Sequence, residues 1–140
     1  MRTSPERAAR DVAVWAESLY LANLLIAPGL AFLALLWLAR QAAAQAPLAR
    51  GHCRQTIAAS LLAGLLLGLA SGLILLLGGF DQPATWVVLI LYFTCCHSAL
   101  ILLGVLGLVK ALAGQPFRYP LIGALVERVT ARGEAPSGRA

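Results

Sequence analysis

Charge is scarce in this 140-residue chain: Asp, Glu, Lys and Arg make up 12% of it, and three long stretches contain none. All six carboxylates lie outside those stretches, so the acidic relay of a proton-coupled transporter is missing. Cysteine is also sparse. Of the three, Cys53 stands alone, and Cys95 and Cys96 are adjacent. Neighbouring helical positions point about 100° apart, which gives neither disulfide geometry nor metal-ligand spacing. The two histidines, His52 and His97, fall at different depths, so a bis-histidine haem site lacks its second ligand. No serine sits in a nucleophile motif, and the glycines neither follow a strand nor precede a P-loop lysine. These absences leave no catalytic, cofactor-binding or metal-binding residue to name, and an enzyme is not expected.

What fills the chain instead is apolar sequence, 60% of all residues. Residues 18–39, 56–80 and 84–109 form uncharged runs of 22, 25 and 26 residues. As helices they reach roughly 33, 37 and 39 Å, against a bilayer hydrocarbon core of about 30 Å. Backbone polar groups in that core must be satisfied locally, so helices are the expected form. The expected fold is all-α and integral to a membrane: three transmembrane helices plus a short interfacial C-terminal helix. One bundle over 18–130 accounts for the chain, with a polar segment 1–17 before it and a disordered tail 131–140 after it.

Three spans leave Arg2, Arg7 and Arg10 on one side and the other eight cations on the opposite side. The positive-inside rule then places the N-terminus outside and the C-terminus in the cytoplasm. The alanine- and leucine-rich, arginine-bearing composition points to a bacterial inner membrane. The net charge of +5 therefore reads as attraction to anionic lipid headgroups, not to nucleic acid. Ala44-Gln45-Ala46 resembles a signal-peptide cleavage site, but the preceding run is too long for an h-region, and Pro47 follows the cut.

Within the first run, Pro28-Gly29 predicts a kink. Gly78-Gly79-Phe80-Asp81-Gln82-Pro83 predicts a tight turn that pairs the second and third helices as a hairpin. Pro120 can open an interfacial helix over 120–130, with Leu121, Leu125 and Val129 on one face.

Ser60, Gly64, Gly68 and Gly72 recur every four residues, a small-residue stripe on a leucine-rich helix. In lipid such stripes allow close helix approach, either to a partner or within the bundle, where Gly104 and Gly107 offer a second small surface. His97 is the one ionisable side chain deep in a run apart from cysteine and tyrosine, with Asn23 as a possible polar partner. Both fit a packing role or a conducting path.

Two polar patches flank the hairpin. The first holds Arg50, His52, Arg54 and Gln55; the second holds Arg118, Tyr119 and Pro120. Antiparallel helices bring them to one face, for headgroup anchoring or for binding an anionic partner. His52-Cys53-Arg54-Gln55, together with Lys110-Ala111 through Gly114 to Tyr119-Pro120, resembles the paired motifs of a bacterial family of small membrane proteins of unknown function. The resemblance runs over about residues 19–125. That family is distantly related to the channel-like component of the chloroplast inner-envelope protein translocon. The residues support a non-catalytic accessory or scaffold subunit that packs on a membrane-protein partner or on itself. The resemblance implies the alternative, an oligomeric translocation or conduction component. A haem- or metal-bearing redox subunit is the third reading.

Overall fold

The computed structural model describes residues 4–42, 46–120, 122–124 and 128. The described secondary structure is all helical: α1 (Pro5–Leu25), α2 (Leu30–Ala42), α3 (Pro47–Leu76), α4 (Pro83–Leu91), a π-helical turn (Tyr92–His97) and α5 (Ser98–Leu112). The expected interfacial helix 120–130 falls mostly outside the described residues, and the tail 131–140 wholly so.

α1 starts where its sequence says a helix should. The Ser4 hydroxyl accepts from the Arg7 N–H at 3.4 Å, Pro5 occupies the first turn and Glu6 faces the positive dipole end. Its buried face is Ala9, Ala13, Ala16, Glu17 and Tyr20, a stripe of mostly small side chains that lets neighbours approach closely. α1 is the central helix and packs on α2, α3 and α5.

The first apolar run departs from the single kinked span expected of it. α1 stops at Leu25, and α2 runs back antiparallel beside it. The reversal is local chemistry: Pro28 has no N–H to continue the ladder, and Gly29 takes a left-handed φ of 86°. The Asn23 side-chain carbonyl accepts the freed Gly29 N–H at 2.9 Å. A straight helix from 17 to 42 would set its ends about 38 Å apart. The next ten residues, of which 47–52 are helical, can span at most about 25 Å, yet His52 touches Glu17 at 2.7 Å. Each arm carries about 8 to 10 apolar residues, or about 12 to 15 Å, roughly half a bilayer core. Two segments, Pro47–Leu76 and Pro83–Leu112, are long and apolar enough to cross a membrane.

The predicted tight turn between them is present. α3 ends in a Schellman-type closure, with the Gly79 N–H on the Ile74 carbonyl at 3.0 Å and the Gly78 N–H on Leu75 at 3.2 Å. Gly78 and Gly79 both have positive φ, and the Thr85 hydroxyl donates to the Gly79 carbonyl at 2.6 Å. A second closure ends α5: Gln115 N–H reaches Lys110 and Gly114 N–H reaches Ala111, both at 2.9 Å. It turns residues 115–119 back across the end of the bundle.

Two core clusters lie toward that end. Ala16, Leu35, Ala42 and Cys53 form one; Tyr20, Ala59, Tyr119 and Ile122 form the other. Beyond them, α3 and α4 expose a continuous leucine-rich surface, with Leu75 and Leu76 at 76% and 87% exposure. Apolar surface on that scale is what a lipid environment covers.

Candidate functional site: a buried Glu–His–Tyr latch

The first turns of α3 carry His52 on their inward face, one helical turn before Thr56, whose hydroxyl back-bonds to the His52 carbonyl at 2.8 Å. Opposite it on α1 stands Glu17, completely buried. His52 Nδ1 lies 2.7 Å from Glu17 Oε1, and His52 Nε2 lies 3.0 Å from the Gln115 backbone carbonyl. The Tyr119 hydroxyl donates to Glu17 Oε2 at 2.7 Å. Both imidazole nitrogens thus face oxygen acceptors. A proton therefore lies on each of those two hydrogen bonds, and the Glu17–His52 pair is neutral overall, whichever of them holds the bridging one.

Tyr119 is held from both sides. Its ring packs edge-on against Tyr20, with centroids 5.8 Å apart, and against Phe117 at 4.9 Å. Burial and then the adjacent Glu17 carboxylate push its hydroxyl far above the ordinary tyrosine range, so it stays a donor. Tyr20 in turn donates to the Leu100 carbonyl at 3.2 Å. The network therefore ties α1, α3, α5 and the 115–119 segment together.

The closeness of α1 and α5 depends on two glycines. A Cβ on Gly104 would meet the Tyr20 ring and Leu21 at 2.7 Å, and one on Gly107 would press into the Glu17 carboxylate. Both glycines thus do the internal packing open to them in the sequence. The α3 stripe does not. Ser60 is buried, but a Cβ on Gly64, Gly68 or Gly72 would meet nothing within 4 Å.

The flanking patches come together at one end of the bundle, as antiparallel packing requires, and then divide. His52 and Tyr119 turn inward; Arg50, Arg54, Arg118 and Pro120 are exposed. Gln55 is buried, and its Oε1 has no hydrogen-bond partner. The anion that the first patch meets is the chain's own Glu17. That contact corrects the expected sidedness: residues 4–17 lie at the same end of the bundle as 46–55 and 110–120, not at the opposite one.

Glu17 was the residue missed from sequence. Its charge groups it with the polar N-terminal segment, although it directly follows Ala16 on the Ala9, Ala13, Ala16, Tyr20 stripe. Asn23 and His97, by contrast, do converge on one cavity, which also holds Ser60 and Tyr92. His52 has no free ring nitrogen for a ligand, and among the described residues no three His, Cys, Asp or Glu side chains gather as a metal site.

A family model described as the magnetosome magnetite crystal formation protein family matches residues 8–126. That span takes in the whole latch and both motif patches. It supports a small bacterial membrane-associated family, and the match does not extend to the chloroplast translocon. No curated protein and no solved structure matches the chain.

Proposed function

The chain belongs to the magnetosome magnetite crystal formation family, and from that and the geometry above we propose that it is a non-catalytic accessory subunit of a bacterial inner membrane. In this reading the latch is a structural clasp, not a reaction centre. Its acid and base are engaged with each other, with Tyr119 and with a backbone carbonyl, so no substrate position remains. The observation that carries the scaffold role is the open glycine stripe on α3. α5 places its glycines against α1, while Gly64 and Gly68 remain exposed on a long apolar helix. A membrane-protein partner, including a second copy of this chain, approaches along that stripe. Gly68→Leu is expected to weaken association roughly tenfold or more, about 1.4 kcal/mol, while insertion and melting are retained. Crosslinking yield against protein-to-lipid ratio reads this; unchanged assembly removes the stripe as the contact.

The same geometry supports one membrane orientation. Arg7, Arg10, Arg40, Arg50, Arg54, Lys110 and Arg118 belong to the latch end, and the opposite turn, Leu77 to Gln82, carries only Asp81. The positive-inside rule then sets the latch end and the N-terminus in the cytoplasm, against anionic headgroups. In intact cells an impermeant thiol reagent should label Asp81→Cys but reach Ser4→Cys and Ala113→Cys only after the membrane is opened. Labelling of Ser4→Cys alone would restore the opposite sidedness for the N-terminus.

A further inference from the structure

The turn between α1 and α2 is built for a place without water. Its sequence, Leu25-Ile26-Ala27-Pro28-Gly29-Leu30, holds no polar side chain, and Ile26 is 80% exposed. Its backbone is closed internally. The Ile26 and Ala27 N–H groups both reach the Ala22 carbonyl, at 3.0 and 2.9 Å. Asn23 holds the Gly29 N–H, and Pro28 has none to satisfy. Non-helical backbone at membrane depth is tolerated only when its polar groups are met in this way or buried in protein.

The neighbours of the turn fix its depth. Pro28 and Gly29 share one cavity wall with Gly64 and Leu67 of α3 and with Tyr92 and His97 of the π-helical turn. His97 is 14 residues from Pro83 and 15 from Leu112, so this level is the middle of the long span. The tryptophans give the same depth from the other direction. Trp15 and Trp37, both exposed, stand 11 residues before Ile26 and 7 after Leu30. Those lengths are about 16 and 11 Å of helix, and indoles settle at the headgroup boundary. Half of a hydrocarbon core is about 15 Å. In the membrane placement proposed above, α1 and α2 therefore enter one leaflet and stop near the midplane.

The bundle tapers as a result. Among the described residues, α1, α2, α3 and α5 share the latch half, while α3 and α4 alone continue through the other half. Burial follows the same division. Of residues 65–76 of α3 and all of α4, only Ile74 and Thr85 are buried. A helix with its side chains is about 10–12 Å across, or about 80–110 Å² in section, so the latch half displaces roughly 160–220 Å² more lipid. An inclusion that crowds one leaflet more than the other fits best where that leaflet is expanded, on the convex side of a bend. We propose that the chain couples to membrane curvature as a wedge, wide at the latch end, and favours bilayer that is convex toward that end. A second copy docked along Gly64, Gly68 and Gly72 draws the narrow halves together and leaves the wide halves to splay the two axes, which adds to the bend.

This inference rests on the membrane placement proposed above, and the test separates the two. Ala113→Cys, at the latch end, is labelled with nitrobenzoxadiazole in the full chain carrying Cys95→Ala and Cys96→Ala; Cys53 is buried. The protein is reconstituted into giant vesicles of phosphatidylcholine and phosphatidylglycerol, and co-flotation with lipid checks the placement. A nanotube of about 20 nm radius is pulled outward, which makes the outer leaflet convex. External dithionite bleaches the latch ends that face out, so the two orientations are read separately. Molecules with the latch end outside should be enriched in the tube about twofold, and those with it inside depleted about twofold. Equal sorting of both orientations overturns the wedge. A nitroxide on Ile26→Cys in the same background reads the depth of the turn: it should collide with oxygen and not with a water-soluble nickel chelate. Access to the chelate overturns the one-leaflet hairpin. Failure to float with lipid strikes the membrane placement instead.

Discussion

Glu17→Ala is expected to cost about 3–5 kcal/mol of unfolding free energy, the largest loss from any single side chain in the bundle. The size follows from what it strands. Truncation leaves His52 buried with a nitrogen facing no acceptor, and the Tyr119 hydroxyl without its carboxylate, both at 1% exposure. It also releases the 115–119 segment, whose hold on the bundle runs through Tyr119 and the Gln115 carbonyl. Glu17→Gln should be far milder, about 1 kcal/mol. An amide oxygen still accepts from Tyr119, and its NH2 can donate to His52 Nδ1 while Nε2–H serves Gln115. Tyr119→Phe should fall between them at about 1.5–3 kcal/mol, one hydrogen bond to a charged group. Reversible unfolding in mixed micelles, followed by circular dichroism, ranks the three. Equal losses for Gln and Ala would show that charge, not hydrogen bonding, holds the latch.

How much of this was visible in the chain depends on which interaction set each feature. The hairpin of α3 with Pro83–Leu112 was legible because two uncharged runs of sufficient length flank a glycine- and proline-marked turn, and its closure is local. The juxtaposition of the two polar patches was legible for the same reason. The first run was not, because a kink and a reversal share the same Pro-Gly signal. What decides between them is Asn23 capping Gly29 and the pairing of Glu17 with His52, a contact across 35 residues. Glu17 was hidden by its neighbours. Counted with Glu6 and Asp11 it reads as solvent-facing, whereas on the helical repeat it sits beside Ala13, Ala16 and Tyr20. Its place on the α1 repeat puts it inside, its charge groups it with the polar segment, and a partner on another helix makes burial tolerable.

Gly107→Ala is expected to destabilise the bundle by about 1–3 kcal/mol through overpacking, although alanine is the better helix former. The added methyl would fall on the Glu17 carboxyl group, with Cδ at 2.7 Å and Oε1 at 2.9 Å, so either α5 moves off α1 or the carboxylate leaves His52. Gly68→Ala provides the contrast within the same chain. Its methyl enters open space, and monomer stability should hold or rise by up to about 1 kcal/mol. The decisive measurement is the double variant. Glu17→Ala removes the atoms that Gly107→Ala strikes, so the two changes should not add: the second alanine should cost little once the first is present, with a coupling above about 1 kcal/mol. Strict additivity would mean that the α1–α5 approach is relieved by backbone movement and does not depend on the carboxylate. Coupling of the expected sign would mean that the missing Cβ at 107 is the space in which the latch is built.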